Sequence, residues 1–344
     1  MYWIENADSA LLLPTLPTAS VDALVTDPPA GIGFMGKEWD GSKGGRDKWI
    51  AWLAGILREC CRVLKPGAYG WVWAIPRTSH WTATACEDAG FAVRDVMTHV
   101  FGTGFPKSRA LLKPAAEHWI LIKAPGELRE LRIEENRIGT TDKLVRPCIV
   151  RKDNTVLGRG LGAGVQIEPS GRWPANFALS HSDDCADACV EDCPVRLLDE
   201  QAGPLKSGKM QAGTVRSSRQ GVALGVMPAA TKRDTHGDSG SASRFFYVAK
   251  ASTKERSAGL PDRNSHPTVK SVALMRHLIR LIAAPGSLIL DPFTGSGSTA
   301  VAALQEGCRF AGIEQDSQHA ETARLRARHT YSNMQKEQPC PSTK

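Results

Sequence analysis

Two short segments carry residue types that could do chemistry. The first is Asp27-Pro28-Pro29-Ala30, which follows the apolar run Val21 to Thr26. A buried strand that meets two prolines stops abruptly, because neither can donate a further ladder hydrogen bond. Its end becomes a rigid polar corner. The exocyclic amine of a nucleobase is a poor nucleophile, since its lone pair is delocalised into the ring. Asp27 could accept one amine hydrogen and the Pro28 carbonyl the other, and such bonds strengthen as positive charge develops on nitrogen. Direct transfer of a methyl group to that nitrogen needs no covalent enzyme intermediate, in keeping with the lack of a credible nucleophile elsewhere. A plain Pro-Pro turn is the competing reading.

The second segment is Asp291-Pro292-Phe293-Thr294-Gly295-Ser296-Gly297, which follows the apolar Ser287 to Leu290 and precedes a helical pattern and a strand ending at Glu314. Glycines at a strand-to-helix turn let a ligand approach the backbone, and an acid ending the next strand can take both hydroxyls of a ribose. Asp291 adds a carboxylate suited to an ammonium group. The spacing Gly295-x-Gly297-x-x-Ala300 with Glu314 also fits a relaxed dinucleotide fingerprint, so an oxidoreductase stays in contention. Against it, only about 30 residues follow Glu314, too few to complete a dinucleotide half-domain.

The elements that must position these corners alternate. Helical patterns run from Trp49 to Leu64 and Thr78 to Ala89, and strands from Ala68 to Ile75, Phe91 to Val100 and Glu117 to Lys123. The alternation resumes with a helix over Val269 to Ala284, a strand over Ser287 to Leu290, a helix over Ser298 to Glu306 and a strand over Arg309 to Ile313. This predicts an α/β fold whose parallel sheet is built from residues 1–125 and 244–330, with 126–243 inserted and 331–344 a tail. Within the insertion, Pro204 to Arg233 holds six basic residues and no acidic one. From Ser207 to Ser243 few large apolar side chains are available to offset the entropy of ordering, so much of this stretch is expected to order only on a partner.

The chain has 344 residues and a formal net charge of +7, a balance that suits a polyanionic partner. No stretch approaches the roughly 18 apolar residues of a membrane span, and the N-terminus lacks a signal-peptide pattern; the expected location is the cytoplasm. Nine cysteines are present, and the adjacent Cys60 and Cys61 read as core thiols. His181, Cys185, Cys189 and Cys193 recur every four residues. On a helix that spacing drifts about 40° per step, and structural zinc sites more often use paired cysteines. Thiols buried under a loop are the preferred reading, and no metal is assigned.

Taken together, the two corners resemble the amino-methyltransferases of DNA that act on adenine N6 or cytosine N4. The order of Asp-Pro-Pro, insertion and glycine loop is similar to that of the beta class, in its phage-like or orphan bacterial members. His266-Pro267-Thr268-Val269-Lys270 resembles the segment that helps hold the methionine part of the cofactor, Asn6-Ala7-Asp8 the motif whose acid approaches its adenine, and Gly102-Thr103-Gly104-Phe105-Pro106-Lys107 a loop common in phage-type members. The resemblance implies a Rossmann-like, mostly parallel seven-stranded sheet with one antiparallel strand, and S-adenosylmethionine across the strand ends. It further implies duplex DNA as partner, a base flipped into the pocket, an insertion that recognises the target, and a homodimer.

On this reading Asp27, Pro28, Pro29 and Ala30 form the catalytic corner. The cofactor falls to Asp8, Asp27, His266, Thr268, Lys270, Asp291, Phe293, Thr294, Gly295, Ser296, Gly297 and Glu314. Ala30 departs from the family, which usually places there a ring that stacks on the flipped base, an interaction worth ~1–3 kcal/mol. Phe34 and Trp39 are the nearby candidates to replace it, with core packing as the competing reading. The leading Asp, rather than Ser, favours adenine. Carbon-5 methylation of cytosine is excluded, because it needs a Pro-Cys nucleophile after the cofactor loop and Pro147-Cys148 precedes it. A cytosine-amine methylase and a non-catalytic DNA-binding homologue remain as alternatives.

Overall fold

Burial on both faces of short strands decides the architecture. Ala23, Leu24, Val25 and Thr26 are all buried, as in a strand covered by helices above and below. The computed structural model describes residues 1–344 except 34–35, 37–39, 103, 105–108, 140–170, 183, 186–187, 207–214, 217–218, 222–224, 228–229, 232–238, 251–252, 267 and 338–344.

Nine strands make the main sheet: β1 (Tyr2–Asn6), β2 (Ala23–Thr26), β3 (Tyr69–Ala74), β4 (Ala92–Val100), β5 (Ala116–Lys123), β6 (Phe177–Ser180), β7 (Tyr247–Ala249), β8 (Leu288–Asp291) and β9 (Arg309–Glu314), in the order β1-β9-β8-β2-β3-β5-β4-β6-β7. Only β5 is antiparallel to its neighbours, β3 and β4; every other pairing is parallel. The sheet is therefore largely parallel with one reversed strand, as expected, but it has two strands more than seven. Phe177–Ser180, from inside the stretch read as inserted, pairs with Thr98, His99 and Val100 and covers an edge of β4 that would otherwise be unpaired. β7 then pairs with β6.

The helices are α1 (Ser9–Leu12), α2 (Arg46–Val63), α3 (Ser79–Asp88), α4 (Pro194–Ala202), α5 (Thr253–Arg256), α6 (Val272–Ile282), α7 (Ser298–Gln305) and α8 (Ser317–Glu337). On one face α2 and α3 pack with Leu24, Val72, Ile120 and Leu290. On the other α6, α7 and α8 pack with Val25, Trp71, Trp119 and Phe310. α2 buries Trp49, Leu53, Ile56, Leu57, Cys60 and Val63, a stripe at helical spacing. α8 was not foreseen, and it extends well into the expected tail. Its buried apolar residues are Ala320, Ala323 and Ala327, side chains too small to register as an apolar stripe. Away from the main sheet, Leu205–Lys206 pairs with Ser239–Gly240, Val215–Arg216 with Ala230–Thr231, and Arg219–Gly221 with Gly225–Met227, all antiparallel and nested.

Candidate active site

The chain leaves β8 through α7 toward β9, and leaves β2 through α2 toward β3, so it departs in opposite directions from two adjacent parallel strands. A crevice at the carboxyl ends of such strands is the usual ligand site of an open α/β sheet. Here it is a cleft of about 2000 Å³ lined by both corners.

The Asp-Pro-Pro-Ala corner is held from behind. Thr78 Oγ1 donates to the Ala30 carbonyl at 3.1 Å, and the Gly31 N–H donates to Asp40 Oδ1 at 2.9 Å. Gly31 has φ of 73°, and a Cβ there would sit 2.5 Å from Trp49 Nε1, so only glycine lets the loop lie on α2. Asp27 Oδ2 faces Lys270 Nζ at 3.3 Å. Burial pushes the Asp27 carboxyl up, against the pull of Lys270 and with the push of Glu117, to about 7.

Lys270 begins a relay of buried polar groups. Its ammonium also meets Glu117 Oε2 at 3.1 Å and lies 3.7 Å from the Trp73 ring centroid. Trp73 Nε1 donates to Glu117 Oε2 at 2.6 Å. His99 joins Glu117 Oε1 through Nδ1 at 2.8 Å to Ser180 Oγ through Nε2 at 2.7 Å. Burial opposes the charge on Glu117, yet Lys270, His99 and Trp73 hold its carboxyl well below the usual carboxylate range. The outer strand β6 is thus wired by hydrogen bonds to the Asp27 corner.

At the other corner Asp291 is 1% exposed and accepts from Thr26 Oγ1 at 2.8 Å and from the Phe293 N–H at 3.1 Å. Burial pushes its carboxyl up to about 6 in spite of these donors. Glu314 accepts from the backbone N–H groups of Gly295 at 2.7 Å and Asp316 at 2.9 Å, which fixes it against the loop with lone pairs to spare. His266 Nδ1 accepts the Thr268 N–H at 3.2 Å, which puts the ring proton on Nε2; burial, with the positive neighbourhood of His319 and Lys270, takes the ring down to about 4, so it is neutral at pH 7. A Cβ on Gly295, whose φ is 52°, would lie 3.1 Å from His266 Nε2. Buried Arg326 of α8 donates to the Ser296 carbonyl at 2.7 Å and braces the loop from beneath.

Of the residues expected from sequence, Asp8, Asp27, Pro28, Pro29, Ala30, His266, Thr268, Lys270, Asp291, Phe293, Thr294, Gly295, Ser296 and Glu314 all line this one cleft. Gly297 does not: its N–H donates to the Thr294 carbonyl and its Cα faces Ala323 of α8. Lys270 reaches Asp27 and Glu117 directly. Phe34 and Trp39 lie outside the described residues, as do most of Gly102–Lys107 and Pro147-Cys148. Missed by sequence were Glu117, Trp73, His99, Ser180 and Arg326. Rings that line the cleft among the described residues are Trp52, Trp73, Phe101 and Phe293.

The sequence model of the DNA methylase family, of N6/N4 type, matches residues 21–325. The chain belongs to this family. The order of its corners is that of the beta class. It is 55% identical to YubD of Escherichia coli K12 over 49 residues, 14% of this chain and 22% of that one. It is 38% identical to the DNA adenine methyltransferase YhdJ of the same organism over 60 residues, 17% of this chain and 20% of that one. The matched stretches thus span about a fifth of these relatives' length. The solved structure of PvuII DNA methyltransferase (cytosine-N4-specific) shares the fold at a TM-score of 0.54 and 13% identity, over 97% of this chain and 92% of that one.

The family is S-adenosylmethionine-dependent. The donor set of the cleft fits that cofactor: buried Asp291 for positive charge, Glu314 and Asp8 for hydroxyl and amine hydrogens, the Phe293 ring for an apolar face, and a glycine turn whose left-handed backbone at Gly295 leaves His266 within close reach. No helix among the described residues is long and apolar enough to cross a membrane.

Proposed function

We propose that this chain transfers a methyl group from S-adenosylmethionine to the N6 amine of adenine in duplex DNA, after the base is flipped from the stack, acting in the cytoplasm and as a homodimer like its class. The observation that carries the reading is that Asp27 and the Asp291–Glu314 loop system line one cleft. The cofactor supplies a methyl group on a positively charged sulfur. Asp291, His266 and Thr268 would hold its amino-acid end, Glu314 its ribose, and Asp8 its adenine. Gly295 keeps the backbone close to it. These assignments follow from the carboxylates, the glycine turn and the cleft they share.

The chain's own work is at the amine. Lys270 engages Asp27 Oδ2, so an amine hydrogen would go to Oδ1, while the rigid Pro28 carbonyl takes the other. Both acceptors gain strength as the nitrogen turns positive. A carboxyl placed near 7 can then take the surplus proton. Asp at the head of the corner, where this family otherwise places Ser for cytosine, supports adenine. Asp27→Ala should abolish tritium transfer to DNA, a loss of about 10³-fold or more, with cofactor affinity changed less than about threefold. Full activity in that variant would remove the mechanism. Base analysis of the product decides between N6-methyladenine and N4-methylcytosine.

A further inference from the structure

The four residues His181, Cys185, Cys189 and Cys193 lie on a different part of the molecule, at the end of β6, and none lines the methyl-transfer cleft. Their four-residue period reads as a helix in sequence, and a helix would spread them around its surface. The described residues of that stretch are not helical. His181 follows β6 directly and its N–H is tied to the Ala249 carbonyl at 3.0 Å; the Cys185 N–H closes a turn on Ser182 at 3.1 Å, and the Cys193 N–H closes another on Val190 at 3.2 Å. Cys193 then caps α4, with Pro194 as its first residue. The result is that one nitrogen or sulfur atom from each of the four lies within 4.8 Å of all the others.

We propose that His181, Cys185, Cys189 and Cys193 form a tetrahedral structural zinc site that fastens the loop after β6 to the N-terminus of α4. A zinc ion with one imidazole and three thiolates sets N···S and S···S separations of roughly 3.6–3.8 Å. His181 Nδ1 lies 3.3 Å from Cys189 Sγ and 3.4 Å from Cys193 Sγ. A neutral imidazole nitrogen has one in-plane lone pair, enough for one thiol hydrogen bond, yet two sulfurs converge on it. A metal at the common centre gives each donor its own direction.

Packing alone is a poor alternative. The local cluster has only Leu179, Cys193 and Val195 fully buried among the described residues, with Cys185 and Cys189 partly exposed. So small a core needs a staple. Four protein ligands close the coordination shell, which makes the ion structural, and the three thiols give up their protons to solvent as it binds. The site also steadies Ser180, the residue before His181, which holds His99.

The full chain, purified under reducing conditions without chelator and incubated with zinc, should carry about one zinc per chain by elemental analysis. The double variant Cys185→Ser, Cys189→Ser should carry none, and Cys61→Ser, on α2 away from the cluster, should keep it. Exchange of zinc for cobalt in the unaltered chain should give thiolate charge-transfer bands and the visible absorption of a tetrahedral ion, a reading that does not depend on the variants folding. Below about a tenth of an equivalent of zinc after incubation, the proposal fails. It fails equally if cobalt gives no tetrahedral thiolate spectrum, or if a soluble double variant binds as much zinc as the unaltered chain.

Discussion

The proposed methyl transfer requires Asp27 to be ionised when it receives the amine, and the surroundings of Asp27 make that conditional on pH. Burial raises its carboxyl to about 7, far above an exposed aspartate. The protonated form would donate rather than accept, so methyl transfer should rise with pH through about 7 and level off above it. The sign is that of a base whose active form is deprotonated. Glu117 contributes to the upward push, and its removal leaves Lys270 with Asp27 alone. Glu117→Gln should therefore move the rising limb of the single-turnover rate to lower pH, and an unmoved limb would show that Asp27 is not the titrating group. Asp27 and Asp291 were legible in the sequence because each ends a strand at a proline. Glu117 was not: its partners Lys270, Trp73 and His99 are 153, 44 and 18 residues away and no local pattern marks them.

At the level of elements, the glycine loop separates into two tasks. Gly295 faces the cleft, whereas Gly297 is where α7 begins and α8 passes: a Cβ there would lie 2.9 Å from both Cα and Cβ of Ala323, at a φ of 80°. Gly297→Ala should cost stability, about 2–4 kcal/mol from left-handed strain and overpacking together, seen as a lower urea midpoint. A midpoint unchanged within error would show that α8 does not bear on the loop. Sequence spacing alone joined the two glycines in one motif because a turn of this kind demands both. What separated them was α8, whose alanines gave no signal. The strands and helices with large apolar residues were placed to within a few residues, and β1, β6 and β7 were missed because short strands need tertiary partners to be recognised.

For the whole molecule, a net charge of +7 together with the proposed DNA substrate implies binding governed by displaced counterions. Affinity for duplex DNA should fall on the order of a thousandfold between about 50 and 200 mM salt, as for about six phosphate contacts, measured by fluorescence anisotropy. Affinity that ignores salt would rule against an electrostatic interface. The organisation from both ends of the chain was readable from the spacing of the two corners. The cluster at His181 to Cys193 was visible only as a period, and a helical reading of that period hid the turns that bring its atoms together.

The reversed direction of β5 has an outcome for folding fidelity. In a parallel sheet the rim that holds the ligand is reached only by strand finishes; β5 brings its start there instead, with Glu117 one residue into the strand. Register then decides identity, since Trp73 stands opposite Trp119 and Ala74 opposite His118. A slip of one residue would turn Glu117 to the opposite face and offer His118 to Lys270 in its place. Such a molecule could keep its helices and its glycine loop and still leave Lys270 with Asp27 but without Glu117, so the pairing of β3 with β5 is a step at which this chain can misfold silently.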